Sequence, residues 1–199
     1  MLEVTQISGK YDPRNVGLYN FSNRLKKLGV KLFFPKGEGV IEYSHGFAIT
    51  IPQESKIPFY KTQVDFFRAI RSTKLHIVYD KILEKNGKVI NGYVGESAAV
   101  EVLYALLHNK PLLFLTAPNF SQTAYSEVKE IINKRKELFE ISDLDKLSDE
   151  DVLEKINETS KKQVDYHLTK EEKNVLRKSM LRLGRSYLDA WKSHKNKKL

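Results

Sequence analysis

The chain has 199 residues, enough for one ordinary domain with a full hydrophobic core and an appendage. It contains no cysteine, which excludes a disulfide framework and any thiolate metal site, and no run of about 18 apolar residues that would span a bilayer. The net charge is +9, but residues 161–199 hold 12 Lys/Arg against 4 Asp/Glu, so the basicity belongs to the C-terminal stretch and the main body is nearly neutral. A nucleic-acid-binding body is therefore not expected. The start, Met1-Leu2-Glu3-Val4-Thr5, lacks a signal-peptide pattern, and a cytoplasmic protein without membrane attachment is the expectation.

Val4 to Ser8 is a short apolar-rich run that stops at Ser8-Gly9, as a first strand ending in a tight loop would. The loop Gly9 to Asn15 leads into a helix from about Val16 to Leu28, with Leu18, Phe21, Leu25 and Leu28 at helical spacing and Gly29 as its stop. Val30 to Phe34 reads as a second buried strand closed by Pro35. Val40–Tyr43 and Phe47–Ile51 flank Ser44-His45-Gly46, the pattern of a β-hairpin, which could serve as a lid or be a plain edge hairpin. Phe59 to Ser72 predicts a helix with Val64, Phe67 and Ile70 inward, and Leu75–Tyr79 a third strand ended by Asp80. Residues 81–94 read as a loop or ragged extension around Asn86-Gly87.

A helix then opens at Gly95 and Ser97, with Glu101 a turn inside it and the apolar strand Leu112–Leu115 beyond a break at His108-Asn109-Lys110. Gln122 to Glu140 predicts another helix. Apolar runs in place of alternating ones indicate strands buried on both faces. The expected fold is α/β, a Rossmann-like three-layer sandwich with a mainly parallel sheet, a β-hairpin insertion and a basic helical C-terminal extension. Its boundary is drawn between residues 1–140 and 141–199. In the extension, Ser148 caps a short helix with Val152, Leu153 and Ile156 apolar. Thr169-Lys170-Glu171-Glu172 forms a capping box before a long helix striped by Leu176, Met180, Leu183, Tyr187 and Trp191.

Ligands of open parallel sheets sit at the C-terminal strand ends. Four such pieces converge: Ser8-Gly9, Asp80, Thr116-Ala117 and the start of the Glu101 helix. Ser97, Ala98, Tyr104 and Ala105 surround Glu101 at three and four residues' distance, and the alanines leave a hollow beside it. A solvated helical glutamate would have no need of that hollow, although the sequence alone leaves both readings open.

The string Gly95-x-Ser97-x-x-x-Glu101-Val102-x-Tyr104-Ala105, with Lys110-Pro111 after it, resembles the signature of the nucleoside 2-deoxyribosyltransferase superfamily, which includes nucleoside 5′-monophosphate N-glycosidases. The resemblance implies that Glu101 is the nucleophile toward the anomeric carbon. Asp80 would match the family's acidic residue after the third strand, positioning or protonating the base. Ser8-Gly9 resembles the glycine-containing first loop of the nucleotide-hydrolysing branch. The hairpin, the long segment between Asp80 and Gly95 and the helical tail depart from the family pattern, so substrate choice transfers least.

Cleavage of an N-glycosidic bond needs a carboxylate beside an oxocarbenium-like carbon and a group to receive the departing base, which two carboxyls in one crevice can supply. Ser8, Gly9, Gly95 and Ser97 offer amides and hydroxyls for a substrate's 5′-phosphate, with Lys10 or Arg14 adding charge. Ser97 could equally be an ordinary helix cap. Tyr11, Tyr43, Phe47 and Tyr93 are candidates to stack on the base. The histidines at 45, 76, 108, 167 and 194 show no ligand spacing, so no metal and no cofactor is expected. The expected partners are a nucleoside or nucleotide and further copies of the chain. The competing reading is a nucleotide-binding sensor or scaffold that oligomerises through its C-terminal helices. A third is association with nucleic acid through the basic tail, which its broad apolar stripe disfavours.

Overall fold

The computed structural model describes residues 5–9, 15–33, 40–44, 47–51, 67–83 and 87–196. Five strands form an all-parallel sheet: β1 (Thr5–Gly9), β2 (Leu32–Phe33), β5 (Leu75–Tyr79), β8 (Leu112–Phe114) and β9 (Phe139–Ile141). Between them lie two antiparallel hairpins, β3 (Val40–Ser44) with β4 (Phe47–Ile51) and β6 (Ile82–Leu83) with β7 (Val89–Ile90). The helices are α1 (Val16–Lys27), α2 (residues 67–72), α3 (Glu96–Leu107), α4 (Lys129–Lys134), α5 (Asp149–Thr159) and α6 (Lys170–Asn196). This is a mixed α/β chain with a parallel sheet, compatible with a Rossmann-like arrangement.

The sheet order is β2-β1-β5-β8-β9. The chain leaves β1 for β2 on one side and returns to β5 on the other, so the order reverses between β1 and β5. At such a switch point the two flanking loops diverge and leave a crevice above the strand ends. The register Gly9↔Tyr79 brings Gly9 beside Tyr79 and places Asp80 next to it at that crevice.

Side chains alternate across the sheet and feed two cores. Ile7, Leu75, Ile77, Tyr79, Leu113 and Leu115 meet Leu18, Phe21 and Leu25 of α1 and Val152 and Ile156 of α5. Val78, Leu112 and Phe114 meet α3, together with Ile131 and Ile132 of α4 and Leu176 and Leu183 of α6. All five residues of β5 are buried, as a central parallel strand requires. Helix α3 has its closest helical neighbour in α6 and touches β1 and β5 below. Covered on two sides, its stretch from Ala98 to Leu106 is buried nearly all round.

The helix ends are set by local chemistry. Gly29, at φ +77°, closes α1 with Gly29 N–H to Lys26 O and Val30 N–H to Leu25 O, both at 3.0 Å. Asn109 does the same for α3 at φ 55°, with Lys110 N–H to Ala105 O at 2.9 Å. Ser148 Oγ accepts from Asp151 N–H at 3.1 Å at the start of α5. At the start of α6, Thr169 Oγ1 accepts from Glu172 N–H at 3.1 Å and Glu172 Oε2 from Thr169 N–H at 3.0 Å, the capping box read from the sequence.

Two sequence expectations need correction. The segment 122–140 is not one helix. It breaks into short helical turns around α4, and its last two residues begin β9, because Phe139 reaches Leu112 and Ile141 reaches Phe114 in parallel register. The segment 81–94, read as a loop or ragged extension, contains the β6–β7 hairpin, with Gly87 (φ +81°) between its strands. The hairpin at 40–51 forms as read, and both strands come against α6. The N-terminal part of the helix expected over 59–72 lies outside the described residues, as do the side chains of Tyr187 and Trp191. The boundary drawn at residue 140 falls inside β9, and the buried residues of α5 and α6 join the two cores of the sheet.

Candidate active site at the switch point

Glu101 is the anomaly in α3. A carboxyl in the middle of an otherwise apolar buried helix is costly unless something compensates it. Only 8% of its surface is exposed. The compensation comes from Ser8 on β1, whose hydroxyl donates to Glu101 Oε2. Ser8 in turn lies 2.9 Å from Nε2 of His76 on β5. Ser8 is 2% exposed and His76 is fully buried. Alternation along β5 puts His76, Val78 and Asp80 on the sheet face that carries α3, which is why an internal strand residue can reach toward a helix carboxyl.

Burial and hydrogen bonding oppose each other at Glu101. Burial raises its pKa and the Ser8 hydroxyl lowers it, leaving it pushed up to about 7. Burial alone brings His76 down to about 3, so the imidazole is neutral across the physiological range. His76 Nδ1 has no partner among the described residues.

Asp80 is also fully buried. Its Oδ1 accepts from Thr116 N–H at 2.9 Å and its Oδ2 from Thr116 Oγ1 at 2.7 Å. Burial raises its pKa, the Thr116 bonds lower it, and the balance stands at about 6. The chain continues: Gly92 N–H donates to Thr116 Oγ1 at 2.7 Å, Tyr93 N–H to Asp80 O at 3.1 Å and Asn119 N–H to Gly92 O at 2.9 Å. Asp80 thus ties the end of β5 to the loop after β8 and to the approach of α3. Gly92 must be glycine there: its φ is +74°, and a Cβ would stand 2.3 Å from Ala117 O. Tyr125, fully buried beside this knot, has a hydroxyl without a partner among the described residues; burial raises its pKa and the Asp80 charge adds to that.

Gly9 ends β1 where an added Cβ would stand 3.2 Å from Tyr79 O, a tight approach of two strand ends. Gly95 is the N-cap of α3 and makes no side-chain cap; Ser97 lies in the first turn. Tyr93 is 40% exposed and its ring reaches the Gly95 backbone, where a Cβ would meet Cε1 at 3.6 Å. Lys10, Tyr11 and Arg14 lie outside the described residues; Tyr43 and Phe47 sit at the turn end of the β3–β4 hairpin.

Ser8 and Glu101 therefore meet in one hydrogen-bonded chain, while Asp80 belongs to a second one, through Thr116 and Gly92. The sequence alone marks His76 only as a histidine without metal-ligand spacing. The signal that singles it out is a polar ring inside the run Leu75–Tyr79, on the same alternation as Asp80. Thr116 was placed at the crevice by its strand end, but its bond to Asp80 was not legible. Among the described residues, no three His, Asp or Glu side chains cluster as metal ligands, and no helix is long and apolar enough to cross a membrane. No family model, no curated protein and no solved structure matches this chain.

Proposed function

We propose that the chain cleaves or transfers at the N-glycosidic bond of a nucleoside or nucleotide, with Glu101 as nucleophile, on a Rossmann-like three-layer scaffold. The observation that carries this reading is a carboxyl buried in an apolar helix, supplied with a hydroxyl donor from the neighbouring strand, beside the switch point of a parallel sheet. The five parallel strands, ordered 2-1-3-4-5 and covered by helices on both faces, support the scaffold assignment.

In the reaction an ionised Glu101 oxygen forms a bond to the anomeric carbon as the C–N bond breaks. The bonding pair leaves with the base, which takes a proton from solvent. Water, or a second base, then attacks the same carbon and frees the carboxylate. Asp80 acts by position: both its oxygens hold Thr116, so it fixes the β8 loop against the α3 approach. Tyr93, exposed beside Gly95, offers a face to the base.

Incubating the protein with a panel of nucleosides and nucleoside monophosphates, and measuring free base, tests the reading. Base release is expected from the wild type and a loss of at least about a thousandfold in Glu101→Gln, with circular dichroism unchanged. Binding of a panel member without base release by the wild type would favour a sensor over an enzyme.

A further inference from the structure

His76 has no part in the reaction as written, yet it is the only group behind Ser8 that the described residues offer. Ser8 has a single hydroxyl proton, and that proton goes to Glu101 Oε2. The Ser8 oxygen must then accept from His76, so Nε2, 2.9 Å away, carries the imidazole hydrogen. A neutral ring with Nε2–H leaves Nδ1 bare, which agrees with its lack of a partner among the described residues. The opposite direction, Ser8 donating to Nε2, would put the hydrogen on Nδ1 as a buried donor that no described residue accepts. Orphaned buried donors are rarer in folded proteins than under-used acceptors. With no acceptor for Nδ1 among the described residues, the chain has one direction.

We infer that His76 is a positioning residue for Glu101: donating from Nε2 to Ser8 Oγ, it commits the single Ser8 proton to the Glu101 carboxylate and holds that carboxylate in one orientation. The inference rests on the proposed function only for its bearing on turnover; the hydrogen-bonded chain stands or falls without substrate. Burial at Glu101 favours the neutral acid, and a donor that can face only one way works against it. Among the described residues, other ionisable groups on the elements packed there do not compete for this role. Asp80, on the same face of β5, is held by Thr116; Glu96 and Tyr104 lie on α3 itself; Arg182 of α6 pairs with Glu127 at 3.4 Å. His108 is at the far end of α3, about 10 Å along its axis.

Two measurements test this. In wild type, nitrogen-15 shifts of the His76 ring should report Nε2 protonated and Nδ1 bare at about pH 9, where Glu101 is ionised; the reverse tautomer there overturns the inference with no variant needed. Carbon-13 titration of the Glu101 carboxyl should then compare His76→Leu, His76→Gln, Ser8→Ala and the double variant Ser8→Ala/His76→Leu. We expect His76→Leu to raise the Glu101 midpoint by about half to one unit, and His76→Gln, whose amide can still donate to Ser8, to restore most of it. In the Ser8→Ala background His76→Leu should add nothing, because the chain is already cut. A midpoint unmoved by His76→Leu, or one moved equally with and without Ser8, refutes positioning through the hydroxyl. If these shifts appear while no substrate releases base, the reaction reading falls and the His76 assignment stands; normal turnover with an unmoved midpoint gives the converse.

Discussion

At the scale of single residues, the raised pKa of Glu101 sets a pH dependence of both activity and stability, with opposite signs. A nucleophile must be ionised, so base release should rise as pH climbs through about 7. For stability, the folded-state pKa lies above the ordinary 4.5, so the folded chain holds the proton more tightly than the unfolded one. This stabilising contribution is complete below about 4.5 and is lost as pH rises through 7. The shift corresponds to roughly 3 kcal/mol as an upper bound. Glu101→Gln keeps an acceptor for Ser8 but cannot ionise. Urea unfolding should find it more stable than wild type at pH 8, by up to roughly 3 kcal/mol, with most of the difference gone at pH 4. A difference independent of pH would mean that Glu101 is not held near neutrality by burial. His76 and Asp80 titrate in both proteins and drop out of the comparison.

At the scale of elements, Glu101 is placed by α3, and α3 is fixed at its far end by Arg135. This guanidinium, fully buried, donates from Nη2 to Asn109 Oδ1 and from Nη1 to Tyr166 O at 3.3 Å. It thereby links the left-handed turn that ends α3, the end of α4 and the segment leading into α6. Beside it Glu172 accepts from Lys134 and Tyr166; burial would raise its pKa, but those donors take it down to about 2. Arg135→Met keeps most of the side-chain volume and removes both donors. It should destabilise the fold by about 1.5–3 kcal/mol in urea titration, the range for lost charge-assisted hydrogen bonds, since Asn109 is exposed and Tyr166 half-buried and both oxygens can turn to water. Deuterium exchange should quicken first at the α3 C-terminus and at residues 160–170. Exchange that quickens evenly over the whole chain would deny Arg135 its local role.

At the scale of the molecule, what the sequence made legible follows from how much surface each segment buries. Leu75–Tyr79 and Leu112–Phe114 are central strands buried on both faces, and a continuous apolar run marks them. Phe139–Ile141 is an edge strand that is only partly buried, and its Phe-Glu-Ile pattern resembles the preceding helical turns. The cap residues Ser148 and Thr169 were readable because their bonds are local. Strand-end logic brings Ser8 and the Glu101 helix to one crevice, but the bond between them and the part of His76 are not legible, since they join residues 93 and 68 positions apart through β1–β5 pairing and the seating of α3.

The same logic bears on the basic C-terminal part, which composition marks off as an appendage. Val152 and Ile156 of α5 close the core on the α1 face, and Leu176 and Leu183 of α6 close the one over α3. Each of these four is at most 2% exposed. Truncating one such residue to alanine costs about 2–5 kcal/mol, and a domain of this size is stable by only about 5–15 kcal/mol. Removing everything after Glu140 would also cut β9 short and uncover α3 along the side that α6 protects. The shortened chain should therefore lose cooperative unfolding and show collapsed amide dispersion by NMR, and it should not survive as a smaller folded domain. A truncated chain that unfolds cooperatively and still holds Glu101 out of water would make α5 and α6 an accessory layer and leave the site to residues 1–140 alone.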